Sequence, residues 1–518
     1  MAQGVLPFKY EEEKGRSGMT ALAGLPTYLE LTVVAGVGAS IDKHVHVRSG
    51  TQGWTDKQAI LSLLMLNLAG GDCVDDLAVL EGDEGFAEVM RRVETHGMKR
   101  TERRALLRRM RKERKRAVPS PSSIFRYLSA FHNAPEEEKR EPHKATIPAP
   151  NEHLQALGLV NADLVAFAQK CSQQKYATLD QDATLVETTK SNALFCYKHF
   201  RAYQPLNTYW AEHDILLHSE FRDGNVPAGF EQLRVLQQSL TYLPEGVEKV
   251  FLRSDTAGYQ IELLKYCAEG RNQRFGVIEF SVSADVTEEF RKAALAADVE
   301  WKPLLRKKVY EKPDGTIRVE FEDIGQEYAE VAFVPNWIAC GRKDAPTYRF
   351  LAIREPLRQL ELLPAPEQPK LPFQTVEFGA SGRYKLFGVV TNRLEMPGDE
   401  LIRWHRERCG DSEKVHAVMK EDFAGGTLPS ADFGVNAAWW AIMILAMNLN
   451  AIMQRLVLGV KWVGRRMKAM RLHLIALPGP IMHHARQLIV RLGAGHPSNQ
   501  LLLRVRQGIL ALAAVPSG

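Results

Sequence analysis

Paired cysteines are missing from this chain. Six cysteines (positions 73, 171, 196, 267, 340 and 409) lie scattered among 518 residues, with no Cys-x-x-Cys pair and no histidine near them at zinc spacing. That argues against a disulfide scaffold or a zinc site and for a reducing compartment, the cytoplasm. Long apolar runs are scarce as well. The opening "MAQGVLPFKYEEEKGRSG" has no apolar core of signal-peptide length, which argues against export. The most membrane-like stretch, "GVNAAWWAIMILAM" (434–447), gives way to Asn448, Asn450 and Arg455. It reads as too short to span a bilayer, so a buried helix and no membrane partner are expected. There is no internal repeat and no low-complexity tract.

What is present is an ordinary globular composition, 45% hydrophobic and 25% charged, on a chain long enough for two to four domains and a large core. The net charge is only +5, but its placement is uneven. Between Lys99 and Arg116 stand eleven Lys or Arg and two Glu, with Arg108, Arg109, Arg111 and Lys112 at the centre. Such density suits phosphate binding, where counterion release drives affinity. A solvated helix face explains the run equally well.

Residues 16–95 read mainly as helices. Thr55 is an N-cap signal, and Gly70-Gly71 a stop, for the apolar helix between them. Asp72, Asp75, Asp76 and Asp83 lack calcium-loop spacing and read as caps and surface acids. "LELTVVAGVGAS" looks β-like as it enters Gly36 and Gly38, but no third glycine follows, and "IDKHVHVRSG" alternates like a strand, so a dinucleotide site is rejected. In "PSPSSIFRYLSAF" a proline-led turn precedes a helix capped by Ser122 or Ser123. Residues 133–152, charged and Pro-rich, read as an exposed linker and a soft domain boundary.

Strands follow from about 175. "KYATLDQDATLVE" and "HDILLHSEFRDGN" alternate, and "KVFLRSDTAGYQIELLKYCAEG" gives an apolar strand, a polar switch and an amphipathic helix. Residues 274–395 are β-rich, and 398 to about 465 return to helix. The stretch "VKWVGRRMKAMRLHLIALPGPIMHHARQLIVRL" is basic and amphipathic, which fits a DNA-tracking or dimer-contact helix and a packing helix alike. On a helix, His483 and His484 diverge by about 100° and make a poor metal pair.

Alternation in "KYATLDQDATLVETTK" places Asp180, Asp182 and Thr184 on one face. A buried carboxylate needs a positive partner. Asp255 follows an apolar strand at the kind of end where ligand-binding groups collect. Two such aspartates suit hard divalent cations, and phosphodiester cleavage uses two metals about 4 Å apart. The same residues also read as a helix N-cap and a solvent-facing strand edge. Glu413 and Lys420, seven positions apart on a helix, return to within about 20° of one another, with Arg406 and Arg408 upstream. That pattern suits a metal ligand beside phosphate-binding cations, or a surface ion-paired helix.

Four motifs in order, "LDQDATLVET", "YQPLNTYW…EFRDGNVPAG", "VFLRSDTAGY" and "SEKVHAVMKEDFAGGTLPSADFGVNAAWWAIMILAMNLN", resemble the DDE transposases of bacterial insertion sequences. The likeness is greatest to the insertion-sequence family numbered thirteen-eighty and spans roughly residues 18–455. It implies a mixed α/β fold: an RNase H-like catalytic core interrupted by a β-rich insertion, with a helical N-terminal DNA-binding region. The implied divisions are 1–150 (DNA-binding, with the basic segment), 151–272 (first part of the core), 273–396 (insertion), 397–465 (second part of the core) and 466–518 (basic helical tail). Asp182, in an Asp-x-Thr motif, Asp255 and Glu413 would be the catalytic acids holding two Mg²⁺ (or Mn²⁺) ions. Glu413 and Lys420 match the second half of a Tyr-(2)-Arg-(3)-Glu-(6)-Lys signature, whereas Arg406 and Cys409 stand where Tyr and Arg belong. Lys420, Arg408 and Arg406 would contact DNA phosphate. Expected partners are terminal inverted repeats, target DNA and a second copy of the chain on synapsed ends, in a bacterial cytoplasm at the nucleoid.

Overall fold

A computed structural model describes residues 18–110, 116–311, 316–335, 337, 347–357, 375–378, 382–485 and 487–514; for 311 and 409–413 it describes the backbone alone. A ten-stranded mixed sheet runs through the molecule. In chain order its strands are β1 (Tyr176–Ala183), β2 (Leu206–Trp210), β3 (Ile215–Glu220), β4 (Lys249–Ser254), β5 (Glu279–Ala284), β6 (Lys302–Glu311), β7 (Ile317–Glu330), β8 (Arg349–Pro356), β9 (Thr375–Glu377) and β10 (Arg383–Thr391). The spatial order is β3-β2-β1-β4-β5-β10-β8-β7-β6, with β9 pairing β10 off that path. β1, β2 and β3 form an antiparallel meander. β4 joins β1 in parallel and β5 joins β4 in parallel. Parallel neighbours need crossover connections, supplied here by helices Gln232–Thr241 and Ile261–Ala268. The β-rich segment continues this sheet: β5 is a neighbour of β4, and β10 covers the edge of β5 that would otherwise stay unpaired.

A long apolar helix, Phe433–Ile452, runs on as a π-turn to Leu458. Its 26 residues are long and apolar enough to cross a membrane, so it exceeds the length expected from the sequence. It lies inside the protein, where its polar residues are all answered. Asn448 accepts from the Leu216 N–H (2.8 Å) and donates to Asn161, and Asn450 accepts from the Tyr28 hydroxyl. Helices Glu152–Cys171 and Asp56–Ala69 pack on it, and one continuous apolar cluster joins the N-terminal helices, the sheet and this helix.

Four local expectations change. "PTYLELTVV" and "VGASIDKH" are helices Pro26–Val34 and Val37–His44, separated by Gly36 in the left-handed region. Burial of Tyr28, Leu29, Leu31 and Thr32 outweighs the β preference of Thr and Val. The cap before Pro121 is Ser120, which accepts from the Ser123 N–H, because Pro at the first helical position puts the cap one residue ahead of it. Residues 133–152 are pinned: Arg140 grips the fully buried Asp223 (2.6 and 2.7 Å), and Asn225 donates to the carbonyls of Glu141 and Lys144. The C-terminal segment is only partly helical. Strands Gly479–His484 and Gln487–Val490 form a sheet with Met19–Thr20 before helix Asn499–Ala513. His483 and His484 therefore point to opposite faces of a strand, and His483 pairs with Glu88.

Candidate active site

The two aspartates of β1 meet different partners. Parallel pairing of β1 with β4 sets Asp180 beside Arg253 and Gln181 beside Ser254. Arg253 forks onto Asp180 (Nε–Oδ1 2.6 Å, Nη2–Oδ2 2.8 Å), and both side chains are nearly fully buried. The same guanidinium donates to the Trp404 carbonyl (2.6 Å) and to Glu407 (3.1 Å). Asp180 thus takes its counter-charge from a neighbouring strand.

Asp182 and Asp255 each follow the last pair of that register, Gln181–Ser254, at the carboxyl ends of adjacent parallel strands. Burial pushes the Asp182 carboxyl up to about 7; the Arg408 guanidinium opposes this, and the Asp255 charge adds to it. Arg408 donates from Nη1 to Asp182 Oδ2 at 3.2 Å. The Asp255 carboxylate accepts from the Ala257 N–H (3.0 Å), so it caps the short turn that follows while standing beside Asp182.

Helix Gly398–Ala417 crosses this face of the sheet. Its Trp404 carbonyl and Glu407 hold Arg253, and Arg408 reaches Asp182. His405 sits between Ser281 and Ser283 of β5 (3.1 and 3.0 Å), where burial, Arg408 and Arg253 depress its imidazole to about 3. Glu413 lies on the last turns of this helix, about 7.5 Å along the axis from Arg408. Its side chain lies outside the described residues. The helix becomes a π-turn at Val418–Asp422, so the α-helical repeat between positions 413 and 420 is interrupted there. Lys420 still reaches the site: its Nζ donates to the Leu185 carbonyl, just past Asp182 (3.4 Å). The turn closes on Gly425 and Gly426, whose N–H groups bond the Met419 and Lys420 carbonyls (3.0 Å each). A Cβ at either glycine would sit within 3 Å of those oxygens.

The remaining cations separate. Arg406 donates to Gln326 on β7 (2.7 Å), away from Asp182. Helix Arg100–Arg108 buries none of its residues, and Arg108 is exposed on it. Arg109 donates to the Gly53 and Gly50 carbonyls (3.0 and 2.8 Å), which tie it to that loop. Arg111 and Lys112 lie outside the described residues.

Two polar residues of this site escaped the sequence reading. Asn207 of β2 faces Asp182 across the antiparallel pair; its Oδ1 accepts from Ser219 (2.7 Å), and its buried Nδ2 has no hydrogen-bond partner among the described residues. His416 is depressed to about 4 by burial, Lys420 and Arg408. The signals "LNTYW" and "KVHAVMK" were visible, but only strand register and the helix path bring them to Asp182.

Paired carboxylates suit a hard dication, since the Asp255 charge raises the proton affinity of Asp182 and a metal would relieve that repulsion. Among the described residues no group of three His, Cys, Asp or Glu forms a metal site. Adjacent strand-end carboxylates with Arg and Lys beside them are equipped for phosphoryl chemistry. The chain belongs to the transposase DDE domain group 1 family, whose model matches residues 17–314 and 375–514. A solved structure of the piggyBac transposase synaptic complex with hairpin DNA aligns with 88% of this chain and 79% of that one, at 11% identity and TM-score 0.40. No curated protein matches the chain.

Proposed function

We propose that this transposase binds the terminal inverted repeats of its element and catalyses metal-dependent strand cleavage and transfer, within an RNase H-like core of the insertion-sequence family numbered thirteen-eighty. One observation carries the reading: Asp182 and Asp255 each follow the last parallel pair, Gln181–Ser254, the Asp255 charge acts on Asp182, and Arg408 bonds Asp182. Asp182, Asp255 and Glu413 are the residues to hold two Mg²⁺ (or Mn²⁺) ions. Such ions, when bound, supply an activated nucleophile and neutralise the leaving oxygen. Arg408 neutralises Asp182 in their absence and is placed to turn to a DNA phosphate, while Lys420 offers a second cation at the strand end. Arg406, held by Gln326, is set back from this chemistry. Water attacks the phosphodiester at the element's end and the 3′ oxygen leaves. That freed 3′-OH attacks the opposite strand to close a hairpin, expelling the flanking strand's 3′ oxygen. A second water then opens the hairpin, and the 3′-OH so released attacks target DNA, expelling a 3′ oxygen of the target strand. The 1–150 region, with Arg108 on its exposed basic helix, binds the end, and a homodimer holds two ends together in the bacterial cytoplasm.

Asp182→Asn, Asp255→Asn and Glu413→Gln are each expected to lower Mg²⁺-dependent end cleavage at least a thousandfold, with duplex affinity within about threefold of wild type by gel shift. Cleavage that survives excess chelator would refute the metal chemistry. A second reading, a silent DNA-binding relative, is favoured by the Arg408–Asp182 pair, which already neutralises the carboxylate. It predicts no cleavage by the wild-type chain under any divalent metal.

A further inference from the structure

Between β1 and β2 the chain leaves the sheet as a finger. Val186–Glu187 pairs with Ala202–Tyr203 at its root, and Phe195 bridges Arg201 nearer its tip. The Cys196 N–H donates to the Phe200 carbonyl (2.9 Å) and the His199 N–H to the Cys196 carbonyl (3.0 Å). His199 closes the turn with φ 65°, in the left-handed region. Cys196 is buried, and Arg201 Nη1 donates to the Ser191 and Ala193 carbonyls (2.6 Å each). From outside, Arg140 braces the finger through the Asn192 carbonyl (2.7 Å). This is a built, internally bonded element. It springs from the segment that carries Asp182, and Lys420 bonds its first carbonyl, Leu185.

The finger nevertheless turns large rings outward. Phe195 is 56% and Tyr197 70% exposed. The Arg201 guanidinium stacks over Phe195 (4.8 Å to the ring centroid), and the Lys198 ammonium lies 5.7 Å from the Tyr197 ring. Neither ring supports the core, and both are held in place by a bonded hairpin. Aromatic faces interleaved with cations make a surface that stacks on unpaired bases and neutralises the neighbouring phosphates.

We propose that the 188–201 finger captures an unpaired nucleotide of the DNA end, with Tyr197 stacked on its base, Phe195 flanking it and Lys198 facing its phosphate. This rests on the cleavage reading above and deepens it. Folding a cut end at Asp182 into a hairpin unpairs its terminal nucleotides, and the finger begins six residues after that aspartate. Charge supports DNA over an apolar partner: Lys198 and Arg201 lie against the rings, and the segment 186–203 carries Lys190 as well, against the single acid Glu187 at the root.

The test uses the full chain with a duplex carrying its own terminal inverted repeat. Tyr197→Ala is expected to slow end cleavage about tenfold, the worth of one base–aromatic stack, with intact-duplex affinity within threefold. Tyr197→Trp should restore the rate. Removing the base at successive end positions should slow the wild type at one position and leave Tyr197→Ala unaffected there. Because Tyr197 is exposed, the fold of each variant is expected to match wild type by circular dichroism. Equal cleavage by wild type and Tyr197→Ala at every position would overturn the inference while the cleavage reading stands. An equal loss of affinity for any duplex would also overturn it, in favour of a general clamp. So would a dimer that dissociates in Tyr197→Ala without DNA, since the rings would then meet a second copy. Absence of cleavage by the wild type would remove the reading and the inference together.

Discussion

Two carboxylates two positions apart on β1 sit in nearly opposite electrostatic settings. Asp180 is locked to Arg253 by two short hydrogen bonds inside the sheet, and Asp182, at the strand's end, faces Arg408 and a second carboxylate. A buried charge that loses its partner keeps its desolvation cost with nothing to offset it. Arg253→Met should therefore destabilise the fold by about 3–5 kcal/mol, read as a lower urea midpoint, and Asp180→Asn in the same chain should recover part of the loss. A loss below about 1 kcal/mol would refute the pairing. Periodicity alone could not tell the two aspartates apart, because both share a face. The Asp-x-Thr resemblance singled out Asp182, but the partner of Asp180 was illegible: Arg253 stands 73 residues away, and only strand register joins them.

At the scale of elements, the segment richest in linker composition does structural work. Glu137, at the end of the short helix Ala134–Glu137, accepts from the Phe433 and Gly434 N–H groups (2.9 and 2.7 Å), the open amino end of the apolar helix. That helix has no side-chain cap of its own, so a carboxylate from elsewhere both satisfies free donors and meets the positive end of the helix dipole. Glu137→Ala should cost about 1–2 kcal/mol by urea unfolding, with Glu137→Gln keeping part of the hydrogen bonding. An unchanged midpoint would show the cap to be idle. Charged and proline-rich composition signalled exposure correctly for residues such as Glu138 and Lys139 but could not reveal one side chain turned inward. Capping signals fared better where they are local. Thr55 forms a capping box with Gln58, and Gly70 ends that helix at φ 106°. The two N-terminal helices read as strands failed for the converse reason, since their fate was decided by burial against distant residues.

Across the whole molecule, burial of neutral histidine links the fold to pH. His213, 2% exposed, bonds Gln169 Oε1 through Nε2 (2.9 Å) and is depressed to about 4 by burial, with Arg455 adding to it. In the unfolded chain the same ring titrates near 6.5. The folded state therefore binds fewer protons between those values, so the contribution of His213 is complete above about 6.5 and is lost as pH falls through about 4. His405, depressed further beneath the site helix, acts in the same direction. Carboxylates raised by burial, among them Asp56, Glu212 and Asp223, act in the opposite sense, so the total profile mixes both signs. The informative quantity is the difference between wild type and His213→Gln, a side chain that keeps a donor for Gln169 and does not titrate. Each pH unit of wild-type depression is worth about 1.4 kcal/mol, so the gap between the two proteins should close by about 2–3 kcal/mol from pH 7 to pH 4.5. Urea midpoints across that range measure it, and parallel curves would mean that His213 is protonated in the folded protein or solvated through an opening that the packed sheet and helices do not have.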